Sequence, residues 1–152
     1  MALIAFNTPV DDRGHATAAA ARAAARPDAH ARRRQGRVLT GAGLVLLPWL
    51  GYLAGTLPPA EAAAWVALDA LEAVALLTAG SRLSRGDARH RMPAAAAAVL
   101  LLADACVDLA TSAPGPELAG AVAMAVLAEL PLAALCGFLA VRPSRRAYGR
   151  KS

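Results

Sequence analysis

Three observations predict an all-α protein, an integral membrane four-helix bundle running up-down-up-down. The first is four apolar stretches, residues 38–57, 62–80, 93–111 and 118–141. Each is long enough for a ~30 Å hydrocarbon core at ~1.5 Å per residue. The second is composition: 57% of the 152 residues are hydrophobic, a more apolar balance than soluble domains carry. The third is the placement of the 16 Lys and Arg residues. All lie before the first stretch, between the second and third (Arg82, Arg85, Arg89, Arg91), or after the fourth, whereas the other two connections carry only Glu61 and Glu117. Such segregation follows the positive-inside rule and puts both termini and the middle loop in the cytoplasm of a multi-pass cell-membrane protein. The net charge of +5 therefore flanks membrane spans rather than forming a nucleic-acid patch. Membrane lipids are the expected partners and nucleic acid is not.

Residues 1–37 form an Ala/Arg-rich cytoplasmic tail, expected to be disordered. Its opening ALIAF is too short, and lacks the preceding basic region, to be a secretory signal. Residues 17–26 are good helix formers, and Pro27 is predicted to stop them. Arg32, Arg33, Arg34 and Arg37 anchor the topology and can meet anionic headgroups, each basic residue near the surface being worth ~1 kcal/mol. The first span has no charge. Pro48 is predicted to kink it, and Gly51 and Gly55, in GxxxG spacing, offer a close approach to another helix. TLPPAE, residues 56–61, is a tight outside turn.

The second span sets Trp65 near the outer interface and brings Asp69 and Glu72 to one face by i, i+3 spacing. The basic loop that follows holds His90, read as a solvated residue. The third span opens with Pro93, suited to a helix start, and carries Asp104 and Asp108 at i, i+4. The fourth places Glu129 about halfway. Pro131 is predicted to kink this helix and free the Leu127 carbonyl. Residues 143–152 form a second basic cytoplasmic tail, expected to be disordered. Cys106 and Cys136 fall one per helix without CxxC spacing, so they read as small buried hydrophobes rather than a disulfide or metal framework.

Asp69, Glu72, Asp104, Asp108 and Glu129 thus lie inside spans that contain no Lys, Arg or His. On insertion scales one acid at a helix centre costs ~2.5–3.5 kcal/mol, and five impose on the order of 10 kcal/mol. Turning all five into the bundle interior removes most of that penalty, and intramembrane acids so placed read as a functional site. Three readings stay open. The acids bind a cation or relay protons, coupled to binding or transport of a small solute. Alternatively the chain is a non-catalytic scaffold or interaction protein whose protonated acids contact Thr40, Thr78, Tyr52 or Trp49 across helices, such bonds averaging ~0.6 kcal/mol. The third reading is a pocket for an amphipathic substrate.

No catalytic residue and no cofactor is assigned. The sequence has no GxSxG, CxxC or phosphate loop, and no membrane His for a His-dependent metal or haem site. Asp104 and Asp108 share DxxxD spacing with membrane CDP-alcohol phosphotransferases, but the preceding DxxDG is missing. Small multidrug exporters have similar size but carry an essential Glu in the first helix, where this chain has no acid. Which metal the acids would take, and whether the chain pairs with itself or another membrane protein, are left undetermined by the residues.

WVALDALE at residues 65–72, LADACVD at 102–108 and ELPLAALC at 129–136 resemble a group of small, uncharacterised actinobacterial four-span integral membrane proteins. The resemblance spans most of residues 38–142. It implies a shared four-helix membrane unit in which these acids recur, and carries no activity with it.

Overall fold

The computed structural model describes residues 12–142, with side chains from Ala29 onward except that of Glu61. The disorder expected of residues 143–152 and of the first 11 residues of the 1–37 tail lies outside the described residues, whereas residues 12–37 of that tail are helical, their Ala and Arg being good helix formers. The chain divides into two compact units, Met1–Ala31 and Arg32–Ser152, the second of which carries the acid-bearing helices. The elements are α1 (Asp12–Thr56), α2 (Pro59–Ser84), a 3-10 turn (Ala88–His90), α3 (Arg91–Thr111), α4 (Pro116–Met124), a π-helical turn (Ala125–Glu129) and α5 (Leu130–Val141). Among the described residues there is no strand. Among the described residues, four helical stretches are long and apolar enough to cross a bilayer: Ala29–Thr56, Ala62–Ser84, Ala88–Thr111 and Pro116–Val141.

Local chemistry explains where these helices start and stop. Pro59 and Pro116 open α2 and α4, at positions where a missing N–H leaves no bond unmade. Beyond residue 80, where an end was expected, α2 keeps one further turn. It then stops at Gly86, whose φ of +73° suits glycine. The Gly86 N–H donates to the Leu83 carbonyl and the Asp87 N–H to that of Arg82, a Schellman arrangement that uses up otherwise unbonded helix-end carbonyls. The Asp87 carboxylate then accepts from the Arg89 N–H and starts the 3-10 turn. Pro27 lies inside α1 rather than ending a helix, since an interior proline removes one backbone bond without forbidding the conformation. The helix also continues through Pro48.

One buried apolar cluster draws on all four spans: Leu39 from α1, Leu76, Ala79 and Leu83 from α2, Ala94, Ala97 and Leu101 from α3, and Ala133, Cys136 and Leu139 from α5. The three- and four-residue steps give each helix a single inward face. Cys136 is buried as the sequence suggests, but Cys106 is exposed. Two residues beyond Asp104, it sits about 200° further round α3 and so points away from the side Asp104 takes. Large apolar side chains cover the outside, with Val45, Met92 and Leu127 each at least 70% exposed, a surface suited to lipid rather than water.

Glycines fix the approach of α1 to α2, though not the pair the sequence singles out. A Cβ on Gly36 would collide with Ser84 Oγ and stand 2.8 Å from the Gly80 carbonyl. One on Gly80 would lie 2.7 Å from the Gly36 carbonyl and 2.8 Å from the Thr40 nitrogen. Gly43 meets Leu77 Cγ at 2.9 Å in the same way. Gly51 and Gly55, by contrast, have nothing among the described residues within 4 Å of such a Cβ. Close backbone approach between small residues is how helices gain packing where lipid is as apolar as the side chains. At the same end Arg91 Nε donates to the Ala140 carbonyl at 2.7 Å, occupying one of the last carbonyls of α5.

Candidate functional site

The five acids reach one place from three spans. Spacing of three residues sets Asp69 and Glu72 on the inward side of α2, 4% and 1% exposed. Spacing of four does the same for Asp104 and Asp108 on α3, both partly buried. Glu129, 6% exposed, is the last residue of the π-helical turn. There the Leu130 N–H reaches back five residues to the Ala125 carbonyl. Pro131, next along, has no N–H to offer, so the helix widens where its bonding ladder lacks a donor. Single π turns inside α-helices recur at functional sites. The sequence placed a kink at Pro131; the structure puts a π turn immediately before it.

The carboxylates fall into two triads. One oxygen each from Asp69, Glu72 and Asp104 lie within 4.8 Å of one another, and so do one each from Asp104, Asp108 and Glu129. Asp104 belongs to both triads. No basic residue occurs in any of the apolar stretches to oppose them. Among the described residues, Glu72 Oε1 and Glu129 Oε2 are buried and have no hydrogen-bond partner. An unpartnered buried carboxylate oxygen forfeits several kcal/mol of hydration, roughly, unless a proton or an ion meets it.

The expected donors across the helices do not close this gap. Trp49 of α1 is within reach of Asp69 and stacks on Tyr52, ring centroids 5.4 Å apart. Tyr52 is exposed, and Thr40 sits against the backbone of Gly80. Arg32, Arg33, Arg34 and Arg37 are all exposed, ahead of the acid-free first span and away from the acids in sequence.

Two features escaped sequence reasoning. The π turn is one, its only trace being Glu129 two residues before Pro131. The other is an apolar cleft of about 430 Å³ lined by Ala60, Ala64, Trp65, Leu68 and Val107. Leu68 and Val107 directly precede Asp69 and Asp108 in the chain, so this cleft lies beside the acid-bearing turns of α2 and α3. Set against known protein families, curated proteins and solved structures, the chain matches none.

Proposed function

We propose that the chain is a four-span, up-down-up-down protein of the cell membrane, both termini cytoplasmic, whose carboxylate cluster binds a cation or relays protons in step with binding or movement of a small solute. One observation carries the reading: five carboxylates converge without a cation, and two of the most buried, Glu72 and Glu129, each keep an oxygen unpartnered. A scaffold using protonated acids as contacts between helices would bond those oxygens to neighbours, so the unpartnered atoms favour the binding reading. The apolar cleft at Trp65 gives the solute an approach from beside Asp69 and Asp108.

The topology rests on the segregation of all 16 basic residues and on contact order. Gly36 meets Gly80 and Ser84 while the later Gly43 meets the earlier Leu77 and Ala73, as in antiparallel neighbours. Arg91 at the start of α3 likewise bonds Ala140 near the end of α5. The exposed Arg32, Arg33, Arg34 and Arg37 would then meet anionic headgroups on the cytoplasmic face.

Thermal unfolding of the purified full chain, across a panel of mono- and divalent cations and across pH, tests the function. A ligand of the folded state stabilises by about 2.7 kcal/mol at a hundred times its Kd. At least one cation, or a pH step, should raise the midpoint, and Glu72→Gln should abolish that rise while leaving folded protein. Indifference to every cation and to pH would leave the scaffold reading. Cysteines placed at Pro59 and Gly115 should label from outside the cell and ones at Gly86 and Ser144 should not. Outside labelling at Gly86 would overturn the topology.

A further inference from the structure

The geometry points to a dinuclear site: we propose that the cluster holds two hard divalent cations side by side, with Asp104 as the carboxylate shared between them. This rests on the reading of the cluster as a cation site and adds ion class, number and the division of labour among the five acids.

The first ground is the pairing of triads. Asp69, Glu72 and Asp104 form one, and Asp104, Asp108 and Glu129 the other, each with its oxygens within 4.8 Å. Oxygens on opposite sides of an ion bonded at about 2.4 Å lie about 4.8 Å apart, so three oxygens no further apart than that can all reach one ion. A residue common to two such spheres is what a bridging carboxylate provides in two-metal sites, whose ions sit ~3.5–4 Å apart.

The second ground is independent of the first. The unpartnered oxygens divide evenly, Glu72 Oε1 on a residue of the first triad and Glu129 Oε2 on a residue of the second. Both residues are more than nine-tenths buried. A single ion in either triad would leave the other with a buried, unbonded carboxylate oxygen, so each compartment separately calls for an electrophile.

Charge and donor type then select the ion. With every acid ionised, a monovalent cation offsets one of five negative charges, whereas two divalent cations offset four. In a poorly screened interior, unopposed charge is what makes burial expensive. All candidate ligands are oxygens. No His lies in the apolar stretches, and the nearest buried thiol, Cys136, belongs to the apolar cluster. Oxygen-only sets suit Mg²⁺, Mn²⁺ or Ca²⁺ rather than Zn²⁺ or copper, and water can complete the coordination.

Mn²⁺ is the probe, because it reports both number and separation. The full-length protein in detergent is titrated with Mn²⁺, bound metal is counted, and electron paramagnetic resonance spectra are recorded. Wild type should bind two Mn²⁺ per chain and show an exchange-coupled signal in place of the sharp hyperfine pattern of an isolated ion. Glu72→Gln and Glu129→Gln should each lower the count to one and restore the isolated-ion spectrum. Asp104→Asn should lose the coupling. One Mn²⁺ per chain with an isolated-ion spectrum would overturn the dinuclear assignment yet leave a cation site standing. No Mn²⁺ binding alongside stabilisation by protons or a monovalent ion would do the same. Failure of every cation and of pH would remove the underlying reading as well. The wild-type count and spectrum decide the matter alone should any variant fail to fold.

Discussion

The two ends of the bundle are built differently. At the end holding Gly36, Gly80, Arg91 and Ala140, helices approach to backbone contact and a buried cluster of Leu, Ala and Cys136 fills the space between all four spans. At the other end packing thins out: no residue of α4 is buried, and Val45, Trp49 and Tyr52 of α1 are 70%, 49% and 58% exposed. The acids of α2, α3 and the π turn lie where one regime gives way to the other. The two ends serve separate tasks. Tight packing of small residues holds the helix axes and therefore the spacing of the carboxylates. Loose packing next to the acids leaves room for ions, water or a solute, as the cleft at Trp65 illustrates. A site packed as tightly as the apolar end would have no entry path.

If that division is right, the largest destabilisation should come from Gly80→Leu, whose side chain would be driven into the backbone of Gly36 and Thr40. A loss of about 3 kcal/mol is expected, at the upper end of overpacking effects, read as a lowered unfolding midpoint in detergent. An unchanged midpoint for Gly80→Leu would mean that close approach at Gly36 and Gly80 does not hold the helix axes. Leu76→Ala, at 1% exposure in the same cluster, should cost about 2 kcal/mol. That is the low end for such truncations, because lipid supplies little hydrophobic drive and mainly packing is lost.

The acid layer should respond in the opposite sense. Without added cation, Asp104→Leu is expected to stabilise by about 1 kcal/mol, since it removes one charge from an unneutralised group of five. The same variant should no longer be stabilised by the cation that stabilises wild type. Destabilisation by Asp104→Leu in cation-free buffer would mean that the acids hold the bundle together, against the division drawn here. The smallest effect belongs to Gly51→Ala and Gly55→Ala, whose added Cβ meets none of the described residues; their unfolding free energies should change by less than about 1 kcal/mol. A large loss at either position would reveal a contact at the loosely packed end.

The four apolar stretches and their helical type were legible in the chain because they depend on local properties, runs of apolar residues of bilayer length and prolines at helix starts. The five acids stood out for a similar reason, since a charge in an apolar run conflicts with its surroundings wherever the helix packs. Spacing alone placed Asp69 with Glu72 and Asp104 with Asp108. What only the tertiary structure decided is which small residues touch and how the acids group. GxxxG spacing at Gly51 and Gly55 resembles that of a contact pair, yet the close approaches fall at Gly36, Gly43 and Gly80, because a helix crossing depends on where two axes meet and not on either sequence alone. The exposure of Cys106 follows from the rotation of α3 once Asp104 faces the cluster. The double membership of Asp104 needs the relative shift of α2, α3 and the π turn, set by packing far along each helix. Local chemistry is written residue by residue; the meeting of three helices at one carboxylate is a property of their packing.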